Sequence, residues 1–325
     1  MTILNPKDFE ASLQDRVNTK LNYLVNNSNQ IDESIAYALS NPGKRVRPLL
    51  VYLVGDALNI PKDNLDSIAL ASEIIHTYSL VHDDLPCMDD DDLRRGAPTL
   101  HKKYSESTAV LAGDAMQSLA IQIILEDHNL SSEIKVMITK FLMETIGNQG
   151  MILGQALDIE FEEQQVSKDQ IIHMNHLKTG LLIEFCVLAP VLIANTRNED
   201  WEQIASYVGI SFQLIDDLLD LQESEENLGK ATNKDQIKNK KSVPLVLGIS
   251  ETLEEINKYE AKTMESITNL GARKLVMTIG TLCLTHTSTS CSSLSLELWQ
   301  IWLTANGETI SSGLSFLYCS NSEDI

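Results

Sequence analysis

An apolar run that ends in a block of carboxylates constrains this chain more than any other feature. From Glu73 to Gly96 the sequence reads EIIHTYSLVHDDLPCMDDDDLRRG, with six acidic residues in the ten positions Asp83 to Asp92 and then Arg94 and Arg95. The residues just before the acids, Ile74 to Val81, have the composition of a buried helix. Acids on a solvated face are normally spread at helical spacing and mixed with lysine; these stand together at the mouth of a segment that should be buried. Carboxylates placed so repel one another unless a cation neutralises them. A hard divalent ion with oxygen ligands is the simplest neutraliser, and the adjoining guanidinium pair matches phosphate oxygens in bidentate fashion. The combination fits a diphosphate bridged by Mg²⁺; the competing reading is a solvated acidic loop.

A second cluster favours the first reading. FQLIDDLLD, Phe212 to Asp220, sets Asp216, Asp217 and Asp220 in another apolar run. Asp216 and Asp220 are four apart and share one helix face. Two such clusters on separate helices can face each other and hold Mg²⁺ between them. With both motifs in view, the chain resembles the trans-isoprenyl diphosphate synthase family, most of all its bacterial farnesyl-forming members, from about residue 35 to about residue 270.

Composition agrees with helices. The chain has 325 residues, 43% of them apolar, with only 15 glycines, 8 prolines and 5% aromatics. That argues against a sandwich or barrel. A formal charge of −21 repels nucleic acid and anionic membrane surfaces, so neither is an expected partner. It also repels a diphosphate, so local Lys and Arg and bound metal must reverse the field at a site. No basic segment followed by an apolar core opens the chain, so no signal peptide is expected. The apolar run Leu181 to Ala194 is too short to span a bilayer. The five cysteines show no metal-type or disulfide spacing, and a cytoplasmic protein is expected.

Periodicity predicts helices over 9–24, 31–39 and 49–58, then from Pro61 and Asp63 into the first acidic motif, where Pro86 must end or bulge the helix. Further helices are predicted over 107–126, 131–147, 168–194, 199–221 and 243–258. No alternating strand pattern, repeat, P-loop or HExxH is present. The fold class is all-α, a single domain over residues 1–325. The resemblance makes this an isoprenoid-synthase-type bundle around a deep central cavity, and a homodimer.

Asp89 is six positions after Asp83, off-face for a straight helix, so the insert around Pro86 must bend the backbone to return it. The family resemblance implies that Asp83 and Asp89 bind two Mg²⁺ and Asp216 a third, with Asp84, Asp217 and Asp220 completing the motifs and orienting water or ligands. It implies that Lys44, Arg47, His76 and Arg95 hold the diphosphate of isopentenyl diphosphate without metal. Read alone, Lys44 and Arg47 would be surface charges and His76 a core histidine. Arg94, Lys178, Lys230 and Lys240 match contacts to the allylic diphosphate. Lys178 and Thr179, with Gln213, match dipoles beside the allylic cation; Arg94, Lys178, Thr179 and Gln213 are thus the expected catalytic residues. Gly154, Gln155 and Asp158 match a supporting GQxxD wall. Tyr78, more than one turn before Asp83, matches the residue that stops chain growth at fifteen carbons.

The implied reaction condenses isopentenyl diphosphate with dimethylallyl and geranyl diphosphates to give farnesyl diphosphate, with Mg²⁺ as cofactor, three ions per site. A geranylgeranyl diphosphate synthase of the same family is the alternative. A class I terpene cyclase lacks the cluster of Lys44, Arg47 and Arg95 and carries a different second metal motif; a non-catalytic subunit need not keep both motifs. The tail departs from the family. Residues 275–325 contain no Lys or Arg, are rich in Ser and Thr, and include Cys283, Cys291 and Cys319. Residues 272–325 are therefore expected to be a replaced or frame-shifted end, which the coding DNA would reveal.

Overall fold

A computed structural model describes residues 6–25, 28–162, 164–228 and 242–271, with the side chains of 6–9, 220 and 222–228 left aside. The 272–325 tail lies outside the described residues, and so does any test of its origin.

The chain before the first acidic motif folds as α1 (Pro6–Leu24), α2 (Gln30–Ser40), α3 (Val46–Ala57), a 3₁₀ turn at Lys62–Asn64 and α4 (Asp66–Asp83). After it come a short hairpin of β1 (Leu93–Arg94) and β2 (Ala97–Pro98), then α5 (Leu100–Lys103), α6 (Glu106–Glu126), α7 (Ser132–Ile146) and α8 (Met151–Phe161). The last part holds α9 (Lys168–Asn175), a π turn (His176–Gly180), α10 (Leu181–Ile193), α11 (Glu199–Leu228), α12 (Val243–Leu247) and α13 (Ile249–Leu270).

The all-α class holds, and the departures have local causes. The hairpin pairs Leu93 with Pro98 and Arg94 with Ala97. Its turn residues, Arg95 and Gly96, both have positive φ, 54° and 79°, as a two-residue type I′ turn requires. Strands of two residues are too short to show alternation, so the pattern gave no sign of them. The helix predicted to open at Pro61 starts at Asp66, because the intervening segment forms the 3₁₀ turn. The helix predicted over 243–258 breaks at Gly248, whose φ of 91° only glycine adopts without strain; α12 and α13 result. Helix starts follow the expected chemistry: Asn29, Ser105 and Ser131 each accept an N–H of the first turn, and Ser167 with Gln170 forms a capping box.

Two helices form the centre. α4 is buried on almost every face, with Ile68, Ile74 and Ile75 fully enclosed, and packs against α3 and α6. α10 lies against α3, α7 and α11, and its Phe185 meets Phe141 with ring centroids 5.4 Å apart. At the amino end, Asp66 accepts from Arg16 Nε at 2.7 Å and from Tyr52 Oη at 2.6 Å, tying α1 and α3 to the start of α4. The run Leu181 to Ala194 proves to be the end of a continuous helical stretch. Lys168–Ile193 is long and apolar enough to cross a membrane by length and composition, as is Glu106–Glu126. Within Lys168–Ile193, 61% of the apolar window is buried inside the fold, which is the environment of a core helix.

Candidate active site

α4 carries the first acidic motif to its own end. The helix stops at Asp83 because Pro86 cannot continue it, and the Asp84 N–H closes the last turn on Leu80 O at 3.0 Å. The chain then loops back, and Asp89 N donates to Asp83 O at 2.8 Å. The bend expected from Pro86 is therefore present, and it sets the two aspartates side by side. Burial pushes the Asp83 carboxyl up to about 6; Lys178 and Arg94 oppose the shift, while Asp89 and Asp158 add to it. Asp89 is also raised, by burial first and then by Asp91 and Asp158 against Lys178.

Asp84 faces elsewhere. It is buried and accepts from Arg94 Nε at 2.9 Å and Nη2 at 2.5 Å. Arg94 also donates to Asp91 at 2.8 Å. Asp84 thus fixes the hairpin arginine, a more specific contact than the general orienting task the motif implied. The type I′ turn places Arg95 next to the loop between α2 and α3. A Cβ at Gly43 would collide with the Arg95 guanidinium, so glycine there is what lets the arginine lie against this loop.

Arg47 and His76, both half-buried, lie near enough for the charge of Arg47 to act on the imidazole. The Arg47 guanidinium carbon lies 5.7 Å from the ring centre of Phe212 on α11. Its Nε is buried and, among the described residues, has no hydrogen-bond partner. Burial and then the positive Arg47, Arg95, Arg45 and Arg94 hold the His76 imidazole well below its usual pKa, so it is neutral at pH 7. Lys44 is exposed at the mouth of the same loop, its carbonyl accepting from Gln14 at 3.0 Å. Sequence reasoning gave no task to two neighbours: buried Arg45 and Glu73 form an ion pair at 2.7 Å. The signal was available, since Glu73 is the acid that opens an apolar run.

The π turn supplies the other wall. Lys178 pairs with Asp158 of α8 at 2.6 Å. The GQxxD segment is thereby explained. A Cβ on Gly154 would lie 2.6 Å from Lys178 Cα, so glycine permits the close approach, and Asp158, one turn on, takes the lysine. Thr179 is half-buried beside it. Gln213 donates to Asp217 at 2.8 Å, and Asp217 also accepts from Asn175 at 3.3 Å and from the Val243 N–H at 3.2 Å. Asp217 therefore knits α9, α11 and α12 together. Asp216, its neighbour, is exposed on the other face, and its charge reaches Arg47.

Tyr78 is 4% exposed, with its hydroxyl buried and unpartnered among the described residues, and its ring meets His82 edge-on at 5.8 Å. Lys230, Lys240 and the side chain of Asp220 lie outside the described residues.

The donor set suits Mg²⁺. Among the described residues no three His, Cys, Asp or Glu groups converge to cage an ion unaided. Mg²⁺ is generally held by one or two carboxylates together with substrate phosphate oxygens and water, and the adjacent Asp83 and Asp89 offer that. Burial raises the Asp83 carboxyl and its neighbour Asp89 adds to the shift, and a bound cation would favour the charged form of both.

A helical bundle bringing together an aspartate loop, an arginine hairpin and a lysine-bearing π turn is an isoprenoid synthase fold. The polyprenyl synthetase pattern matches residues 28–273, and the chain belongs to this family. The farnesyl diphosphate synthase of Bacillus subtilis is 37% identical over 273 residues, covering 81% of this chain and 92% of that one. The farnesyl diphosphate synthase of Haemophilus influenzae is 42% identical over 223 residues, covering 67% and 76%. The solved geranyltransferase of Helicobacter pylori, complexed with magnesium and isoprenyl diphosphate, is similar with a TM-score of 0.71 at 29% identity, covering 95% of this chain and 100% of that one. The family match ends at residue 273, next to where the change of composition was read.

Proposed function

We propose that the chain is a Mg²⁺-dependent prenyltransferase that joins isopentenyl diphosphate to dimethylallyl and then geranyl diphosphate, giving farnesyl diphosphate. The observation that carries the reading is the return of Asp89 onto Asp83 beside Lys178 and Arg94, the two cations that act on both carboxyls. Asp83, Asp89 and Asp216 would hold Mg²⁺, three ions in all, which when bound supplies positive charge to the leaving diphosphate. Lys178 and Arg94 add fixed positive charge to that group, held ready by Asp158 and Asp84.

Lys44, Arg47, His76 and Arg95 bind the diphosphate of isopentenyl diphosphate; the Nε of Arg47, without a partner among the described residues, is a donor suited to such an acceptor. Lys230 and Lys240 belong to the allylic side in this reading. The C–O bond of the allylic substrate breaks and its electron pair leaves with diphosphate. The double bond of isopentenyl diphosphate attacks the allylic carbon, forming the new C–C bond. The departing diphosphate takes the proton lost from the adduct. Thr179 and the Gln213 amide present dipoles to the cation, and the packed helices exclude water that would hydrolyse it. Tyr78, buried on α4, floors the space for the growing chain and favours the fifteen-carbon product.

The reading includes a cytoplasmic homodimer. Exposed Val110 and Leu111 on α6, Val136 on α7 and Ile152 on α8 offer apolar surface for a second copy, and the thiols of Cys87 and Cys186 are free, as in a reducing compartment. Incubation with isopentenyl and geranyl diphosphates and Mg²⁺ should release diphosphate and form a fifteen-carbon product. Hydrolysis of geranyl diphosphate alone, or cyclisation, would replace this reading.

A further inference from the structure

The cations that line the metal-free diphosphate subsite stand close together before an anion arrives. His76 feels Arg47, Arg95, Arg45 and Arg94 at once. Like charges in a partly buried site repel strongly, so something must keep them assembled. A buried carboxylate stands among them. Glu73 is 2% exposed, accepts from Arg45 Nη1 at 2.7 Å, and its charge favours the protonated state of both Arg47 and Arg95.

Arg45 completes the arrangement. Its side chain is 4% exposed, and its other donors reach Leu39 O at 2.8 Å, Asn41 O at 3.1 Å and Asn18 Oδ1 at 3.0 Å. Its backbone sits at φ 52°, an uncommon conformation for a non-glycine residue that surrounding bonds must enforce. Lys44 precedes Arg45 and Arg47 follows it closely, while His76 lies one helical turn after Glu73 on α4. The pair thus fastens the loop that carries two cations onto the helix that carries the imidazole.

We propose that Arg45 and Glu73 are positioning residues, an ion pair that assembles the cationic subsite for isopentenyl diphosphate in advance of binding without touching the substrate. The inference rests on the prenyl-transfer reading above. A carboxylate near an anion site weakens the field there, so a pair kept only for packing could be exchanged for apolar side chains with no loss of binding. A pair that assembles the subsite could not.

The test compares the unaltered chain with Glu73→Gln and with the double variant Arg45→Met, Glu73→Met. Removing both halves of a buried ion pair leaves no orphaned charge and preserves stability far better than removing one. Binding of isopentenyl diphosphate in EDTA is followed by calorimetry, with KM for each substrate and Tm measured beside it. The expected result is at least a tenfold rise in Kd and KM for isopentenyl diphosphate in both variants. KM for geranyl diphosphate should stay within about twofold, with the double variant melting within a few degrees of the unaltered chain. Unchanged or tighter isopentenyl diphosphate binding in either variant overturns the inference, as does a loss that falls equally on both substrates and tracks Tm. Should the double variant not fold, Glu73→Gln decides by the same criteria. An unaltered chain that neither binds isopentenyl diphosphate nor turns over defeats the prenyl-transfer reading, and the inference with it.

Discussion

Asp89 donates its backbone N–H to the backbone carbonyl of Asp83 across 2.8 Å. One hydrogen bond between main-chain atoms therefore sets the spacing of two side chains that helical periodicity would have separated. In the proposed reaction these carboxylates act together. Asp83→Ala or Asp216→Ala should lower kcat for diphosphate release by about 10²–10³ or more, since charge stabilisation at the leaving group is lost. Near-normal turnover in either variant would remove that residue from the metal set.

Tyr78 separates volume from polarity. Its hydroxyl is buried without a partner among the described residues, so Tyr78→Phe should leave product length and Tm nearly unchanged. Tyr78→Ala opens a cavity, costs about 3–5 kcal/mol by analogy with other aromatic truncations, and should lengthen the product. Chromatography of the prenyl alcohols after phosphatase treatment reads the result; a product still confined to fifteen carbons would show that the floor lies elsewhere.

Gly154 is held to its size by the π turn. Gly154→Ala drives a methyl into the backbone at Lys178, so it should lower stability by about 1–3 kcal/mol or more and raise KM for geranyl diphosphate. A variant with an unaltered Tm would mean that α8 and the π turn are not pressed together in solution.

Glu184 predicts a pH dependence. Burial pushes its carboxyl up to about 7, with Ser206 opposing, and its partner His176, 3.4 Å away, is held below its usual pKa by burial. The folded carboxyl thus binds its proton more tightly than the unfolded one, whose pKa is about 4.3. Stability from this group is full below about 4.3, declines as pH rises towards 7, and is absent above it. Glu184→Gln removes the charge and should raise Tm by about 5 °C at pH 8, with the gain vanishing near pH 4.5. A lower Tm for the variant at pH 8 would point to a charged Glu184 that the fold needs.

Much of the site was legible because its chemistry is written in local spacing. The return of Asp89 followed from Pro86 and the six-residue offset, and the burial of His76 and Tyr78 followed from the apolar run around them. What stayed hidden depends on partners far along the chain. Periodicity places Asp216 and Asp217 on different faces, but only the fold shows that Asp217 meets Asn175 and Val243 while the charge of Asp216 reaches Arg47. The π turn has no composition of its own; it lies where Gly154 and Gly209 let neighbouring backbones come close to Lys178 and Gly180. Arg45 reads as one more basic residue until its carbonyl partners at Leu39 and Asn41 are seen. The hairpin escaped because two residues cannot display a period.

The left-handed backbone of Arg95 has a consequence for anyone improving this protein. Asn–Gly is the favoured dipeptide of a type I′ turn, so Arg95→Asn should relieve local strain and raise the melting point slightly. It would also delete a guanidinium that lies against Gly43 beside the proposed isopentenyl diphosphate subsite. A screen that selects for heat resistance alone would therefore accept this change early, and the surviving clones would be robust proteins with a weakened grip on one of their two substrates.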